Sequence, residues 1–149
     1  MQTQLVGRPM EILLIEDGLV DARVTIEALR KKEIKHRLTL IRDGEEAIEF
    51  LQQQGKFSRA PRPDLILLDL MLPKRSGIEV LVQIRNDPRL KDIPVVVLTS
   101  TEAPEVKEQC EGLNVDSYIT KPVNLEKFLA VVKQLKRLWL DDVILPEVD

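Results

Sequence analysis

Three short apolar runs with no polar interruption constrain this chain more than any other feature: Ile12-Leu13-Leu14-Ile15, Leu65-Ile66-Leu67-Leu68 and Val95-Val96-Val97-Leu98. A strand with one wet face alternates polar and apolar side chains, so a run without alternation reads as a strand covered on both faces. Three such strands call for one parallel sheet with helices on both sides. Two further segments do alternate. Arg37-Leu38-Thr39-Leu40-Ile41-Arg42 turns Arg37 and Thr39, with Arg42, toward water, and Asp116-Ser117-Tyr118-Ile119-Thr120-Lys121 mixes polar and apolar positions. Both suit the edges of the sheet.

Between these runs lie segments with helical spacing. Residues 20–32 bring Val20, Val24, Ile26 and Leu29 near one stripe, and residues 44–54 offer Ala47, Ile48 and Leu51. Residues 76–86 carry Ile78, Leu81, Val82 and Ile84, and 104–112 form a short helix ended by Gly112. The longest spans 124–140, with Leu125, Phe128, Leu129, Val132, Leu135 and Trp139 recurring behind Asn124 as N-cap. Strand and helix alternate five times, so right-handed crossovers join parallel strands. With the alternating runs at the edges, the expected fold is an α/β doubly wound five-stranded parallel sheet of order 2-1-3-4-5, flavodoxin-like. Residues 52–63 form a long loop that Pro61 and Pro63 keep from being helical. At roughly 150 residues per domain, the 149 residues are expected to form one domain. Its core covers about 10–138, with an apolar C-terminal tail at 139–149.

Composition removes several classes of function. Lys and Arg number 22 against 25 Asp and Glu, a net charge of −3 that gives no general pull toward nucleic-acid phosphates. Five aromatics are too few for stacking platforms. One cysteine, Cys110, and one histidine, His36, cannot build a structural zinc site or an internal disulfide. Cys110 reads as a packing residue and His36 as a surface one. No apolar run approaches the roughly 18 residues of a membrane span, and MQTQLVGRPM does not read as a secretion signal. A soluble, cytoplasmic protein without nucleic-acid or membrane partners is expected.

Sites in an open parallel sheet form outside the carboxyl ends of the strands. The first strand ends in Glu16-Asp17, the third in Asp69 followed by Leu70-Met71-Leu72-Pro73, the fourth in Thr99-Ser100, and the fifth in Lys121-Pro122. Each alone has an ordinary explanation as a turn, a cap or a solvated charge. Together they crowd three carboxylates, which repel unless a cation or shared protons offset them. Magnesium fits such a set, since it takes one or two carboxylates and keeps waters and phosphate oxygens. Asp17 and Asp69 would bind directly and Glu16 through water. Asp69 could then attack phosphorus to give an acyl phosphate, with Lys121 and the Thr99 hydroxyl meeting the charge of the transferring oxygens.

The set Glu16-Asp17, Asp69 within LILLDLMLP, Gly77, Thr99-Ser100 after VVVL, and Tyr118 ahead of Lys121-Pro122 resembles the receiver domain of two-component response regulators, over about residues 10–138. The resemblance implies a protein that accepts a phosphoryl group on Asp69 from a histidine kinase. It is not an enzyme in its own right, though it assists its own phosphorylation and dephosphorylation. The same likeness implies Mg2+ held by Glu16, Asp17, Asp69 and the Met71 backbone carbonyl, a switch pair in Thr99 and Tyr118, and Lys121 before a commonly cis proline. Glu16 stands where aspartate is more usual, and the loop before Pro61 is longer than in many receivers. The tail, with FLQQQG, PRPDLILLDLMLPK and IPVVVLT, is similar to the small response regulators of cyanobacterial phytochromes. A light-regulated, phytochrome-like kinase is the implied partner.

No DNA-binding segment is expected after residue 149, and the expected output is contact with another protein or with a second copy. Leu138, Trp139, Leu140, Val143 and Ile144 are a large apolar group for a chain end. They suggest a homodimer through the last strand, last helix and tail, the alternative being a tail folded over its own core. Other functions fit less well. A phosphatase of the haloacid dehalogenase type needs a second aspartate two residues after the nucleophile, where Met71 stands. A nucleotide or flavin site needs a Gly- or Ser-rich first turn, whereas this one reads Glu16-Asp17-Gly18-Leu19-Val20-Asp21. A docking module that works without phosphorylation is the remaining alternative.

Overall fold

A computed structural model describes residues 9–30, 35–100 and 104–135. The strands are β1 (Met10–Ile15), β2 (His36–Ile41), β3 (Leu65–Asp69), β4 (Val95–Thr99) and β5 (Ser117–Thr120). The helices are α1 (Leu19–Leu29), α2 (Gly44–Leu51), α3 (Gly77–Asn86), α4 (Pro104–Gln109) and α5 (Leu125–Gln134). All strands run parallel in the order β2-β1-β3-β4-β5, the order that the two alternating runs imply. This is the doubly wound, flavodoxin-like fold expected from the sequence.

The unbroken runs are covered on both faces, as their lack of alternation requires. Side chains of one parity, among them Ile12, Leu14, Leu67 and Leu98, pack with Leu29, Phe128 and Val132. The opposite parity, Leu13, Ile15, Leu68 and Val97, packs with Phe50, Leu81 and Ile84. The edge strands β2 and β5 are only partly buried.

Side-chain polarity alone misplaces two helix faces. On α1, Val20 and Val24 are exposed, and the buried face is Ala22, Thr25 and Leu29, with Ile26 partly covered. The small Ala22 and Thr25 let the helix lie close on the sheet, so geometry overrides hydropathy. On α3 the buried stripe is Val80, Leu81 and Ile84, while Ile78 is half-buried and Val82 exposed. The long loop is not featureless either. It holds a single 3-10 turn at Gly55–Phe57, whose Phe57 ring meets Phe50 edge-on at 5.4 Å.

Capping follows the sequence. Asp43 accepts from the Glu46 amide at 2.7 Å, Ser76 and Glu79 form a capping box, and Asn124 accepts from the Lys127 amide at 2.8 Å. The α5 helix is described to its cap at Leu135, so the expected continuation to 140 and the apolar positions Leu138, Trp139, Leu140, Val143 and Ile144 lie outside the described residues. Cys110 is buried at the end of α4, in keeping with a packing role, and His36 is half-buried at the start of β2 rather than fully at the surface.

At the amino end of the sheet, Arg85 of α3 has a side chain only 8% exposed. Its guanidinium donates to the carbonyls of Lys91, Ile93, Leu113 and Asn114 and to Asp116 Oδ2. Asp116 in turn accepts from the Val95 amide at 2.8 Å. One side chain thus ties α3 to the starts of β4 and β5.

Candidate functional site

Register builds the opposite end. The last β1–β3 pair is Ile15–Leu68, so one residue further Glu16 comes level with Asp69, and the strand period of two points both carboxyl groups to one side. Both are buried, Glu16 at 1% and Asp69 at 6% exposure. Lys121, one residue past β5, sends its ammonium between them, 2.8 Å from Asp69 Oδ2 and 2.9 Å from Glu16 Oε1. The same nitrogen lies 3.2 Å from Asp21 Oδ2 in the first turn of α1. The other Asp69 oxygen, Oδ1, accepts from the Met71 amide at 2.9 Å, and Glu16 Oε2 accepts from the Gly18 amide at 3.1 Å.

The loop after β3 holds this arrangement because α3 begins directly against it. A Cβ on Gly77 would lie 2.4 Å from Leu70 Cα and 2.6 Å from the Asp69 carbonyl oxygen, so no larger residue fits. The Gly77 amide donates to the Leu70 carbonyl at 3.0 Å. On the far side of the site the Lys121–Pro122 peptide is cis.

Charge is distributed unequally over the cluster. Burial, and the hydrogen bond shared with Asp69, push the Glu16 pKa up to about 7 against the pull of Lys121 and the Gly18 amide. Burial also opposes ionisation of Asp69, but hydrogen bonds from Glu16, Lys121 and the Met71 amide outweigh it and hold its pKa below the ordinary value. Burial likewise opposes the charge on Lys121, and its two carboxylate partners more than offset that, raising its pKa. Of the pair, Glu16 is the carboxyl group pushed toward protonation and Asp69 the one held toward ionisation.

A cavity of about 390 Å³ opens over this cluster, lined among others by Glu16, Asp17, Asp69, Met71, Thr99 and Lys121. Six of the seven residues singled out from the sequence therefore meet at one place. Their contacts differ from expectation in part. Asp17 is half-exposed and paired with Arg42, whose guanidinium is 3.7 Å from its carboxylate and donates to its backbone carbonyl at 3.0 Å. The Lys121 ammonium itself lies against the crowded carboxylates, and among the described residues no group of three acidic, histidine or cysteine side chains is set as a metal cage. The Met71 side chain is 83% exposed, and the contact it makes with Asp69 is through its amide.

Tyr118 is the seventh, and it lies outside this cavity. The pair Val97–Tyr118 puts it on the same sheet face as Thr99, beneath α4. There Lys107 Nζ sits 5.6 Å from the ring centroid. Burial, with the neighbouring Cys110 thiol as hydrogen-bond partner, pushes the phenol up to about 12. Sequence reasoning missed Asp21 and Arg42. The first lay in the quoted turn Glu16–Asp21, four residues past Asp17 and in position to face the strand ends from the first helical turn.

The donor set suits a hard dication. All candidate ligands offer oxygen, and Glu16 Oε1 is buried beside the Lys121 ammonium without accepting a directed hydrogen bond from any described residue.

Comparison with known proteins then decides the family. The response regulator receiver domain profile matches residues 12–133 of the 149. The chain belongs to the response regulator receiver domain family. It is 46% identical over 138 residues to the response regulator Rcp1 of Synechocystis sp., covering 93% of this chain and 94% of that protein. Among solved structures, the Mn(2+)-bound form of Rcp1 matches with a TM-score of 0.73 at 45% identity, over 93% of this chain and 100% of that one. The phosphorylated cyanobacterial phytochrome response regulator RcpA matches with a TM-score of 0.75 at 43% identity, over 94% and 100%. This receiver is thus related to phytochrome response regulators. Among its described residues, no helix is long and apolar enough to cross a membrane.

Proposed function

We propose that this receiver accepts a phosphoryl group on Asp69 from a histidine kinase of the phytochrome type, in a Mg2+-dependent reaction, and passes the signal on by protein contact. The observation that carries the reading is the Lys121 ammonium, 2.8 Å from an Asp69 oxygen whose partner oxygen is held by the Met71 amide. Those contacts keep Asp69 ionised and aimed into the cavity. In the transfer, an Asp69 oxygen forms the new P–O bond while the P–N bond of the donor imidazole breaks, and the nitrogen leaves with the bonding pair. Lys121 then follows the charge from the carboxylate to the transferring oxygens. The Thr99 hydroxyl at the same cavity is the further donor, and Tyr118 responds on the shared face.

Asp17, Asp69 and the Met71 carbonyl, with Glu16, would hold the magnesium ion, which when bound supplies positive charge to the phosphoryl oxygens. Lys121, already 2.8 Å from Asp69, would add its own positive charge beside the transferring oxygens. The chain works as one receiver domain over residues 1–149, is cytoplasmic, and assists its own phosphorylation and dephosphorylation without being an enzyme toward other substrates. A second copy, docked through Leu138, Trp139, Val143 and Ile144, is the proposed contact partner.

The test is incubation with acetyl phosphate and magnesium, read by intact-protein mass. A gain of one phosphoryl group in the wild type, absent in Asp69→Asn and much reduced in Lys121→Ala, is the expected result. Labelling that survives Asp69→Asn refutes the assignment. Sedimentation that shows a monomer at high concentration, phosphorylated or not, removes the dimer.

A further inference from the structure

Lys127 occupies a position where a cation is out of place. It is the third residue of α5, behind the Asn124 cap, and the first turn of a helix presents positive dipole charge that disfavours lysine. Its ammonium does not extend into solvent. It turns back to donate to the Thr120 carbonyl at 2.9 Å and to the Pro122 carbonyl at 3.1 Å, the two carbonyls that flank Lys121.

The first of these bonds closes a second constraint. The Lys121 amide donates to the Thr99 carbonyl across the β4–β5 ladder at 2.7 Å. In a trans peptide N–H and C=O point in opposite directions, so the Thr120 carbonyl faces away from β4, toward the edge of the sheet, where no further strand among the described residues receives it. Lys127 satisfies it there. The peptide that leads into Lys121 is therefore gripped from both sides, by Thr99 on β4 and by Lys127 on α5.

We infer that Lys127 is a positioning residue, which fixes the backbone of Lys121 so that its ammonium reaches Asp69 and Glu16. It touches neither the acceptor carboxylate nor the cavity, and it acts through Lys121. The inference rests on the proposed role of Lys121 in phosphoryl transfer, and its test separates the two.

Lys127→Met keeps the aliphatic stem and removes the donors, while Lys127→Arg retains donors for both carbonyls. In Lys127→Met, hydrogen exchange of the Lys121 amide should quicken roughly tenfold, as the loss of about one charge-assisted hydrogen bond implies. Exchange in β1 and β3 should not change, and Lys127→Arg should restore the slow rate. Phosphorylation by acetyl phosphate should slow in Lys127→Met by a factor that disappears when the same change is made in Lys121→Ala. Unchanged exchange at Lys121 overturns the inference. So does an equal slowing in the Lys121→Ala background, because the effect would then bypass Lys121. If the wild type takes up no Asp69-dependent phosphoryl group, the functional reading fails, and the exchange measurement still decides whether Lys127 holds Lys121.

Discussion

Removing the Lys121 ammonium should destabilise the metal-free protein by an amount that grows with pH. The nitrogen lies within 3.2 Å of three carboxylates, two of them buried. Deleting one partner of a buried ion pair costs about 3–5 kcal/mol because the other charge is stranded. Here the stranded pair has an escape, since Glu16 can keep its proton. In the wild type its pKa is already raised from 4.5 to about 7. A raised carboxyl pKa gives stability that is complete below the unfolded value and lost as pH rises through the folded one. At about 1.4 kcal/mol per pH unit, the wild type loses about 3 kcal/mol from this source between pH 4.5 and about 7. Lys121 pulls the Glu16 pKa down, so in Lys121→Ala the loss should continue to higher pH. Because the wild type stops losing stability from this source near pH 7, the difference between the two proteins should widen by about 1.4 kcal/mol between about pH 7 and about pH 8. Urea unfolding in EDTA, followed by circular dichroism across that range, measures it. A difference that stays constant with pH, or a variant as stable as the wild type at the alkaline end, would refute the reasoning. Magnesium should then stabilise the variant more than the wild type, since it relieves a larger repulsion.

Three other outcomes follow from the packing. Gly77→Ala places a methyl 2.4 Å from Leu70 Cα, so it should cost about 1–3 kcal/mol and slow phosphorylation by shifting the Asp69 loop, as denaturation and acetyl phosphate labelling would record. Arg85→Met removes the guanidinium donors from Asp116 and four carbonyls and should cost about 3–5 kcal/mol in urea midpoints, with labelling of the folded protein at low temperature little changed. In Cys110→Ala the phenol of Tyr118, the sole tyrosine, loses a partner that raises its pKa, so phenolate absorbance should appear below the wild-type value of about 12. A titration that does not move would show that burial alone sets it.

The sheet and most of the site were legible because both follow from strand ends. Unbroken apolar runs gave the central strands and alternating ones the edges, and whatever follows a strand of a parallel sheet must face the carboxyl edge, which placed Glu16, Asp69, Thr99 and Lys121 together. Helix-borne residues were less legible. Asp21 and Lys127 sit in first turns, where charged residues usually meet water, and only the tertiary fold brings one to Lys121 and the other to the carbonyls around it. Val20 and Val24 misled for the converse reason, being apolar but turned outward while Ala22 and Thr25 lie against the sheet. Asp17 was placed correctly at the cavity, but its pairing with Arg42, 25 residues away, leaves no mark in local sequence.

The guanidinium of Arg85 fixes the form that any signalling motion can take. It clamps the entries to β4 and β5 at the amino end of the sheet, whereas Thr99 and Lys121 leave those strands at the opposite end. Strands pinned at one end cannot slide as a unit. Any displacement of these strands is therefore expected to be smallest at Arg85 and widest at their carboxyl ends, some five residues away along each strand, so that a charge change at Asp69 would act on the β4–β5 side of the molecule as leverage about that fixed point.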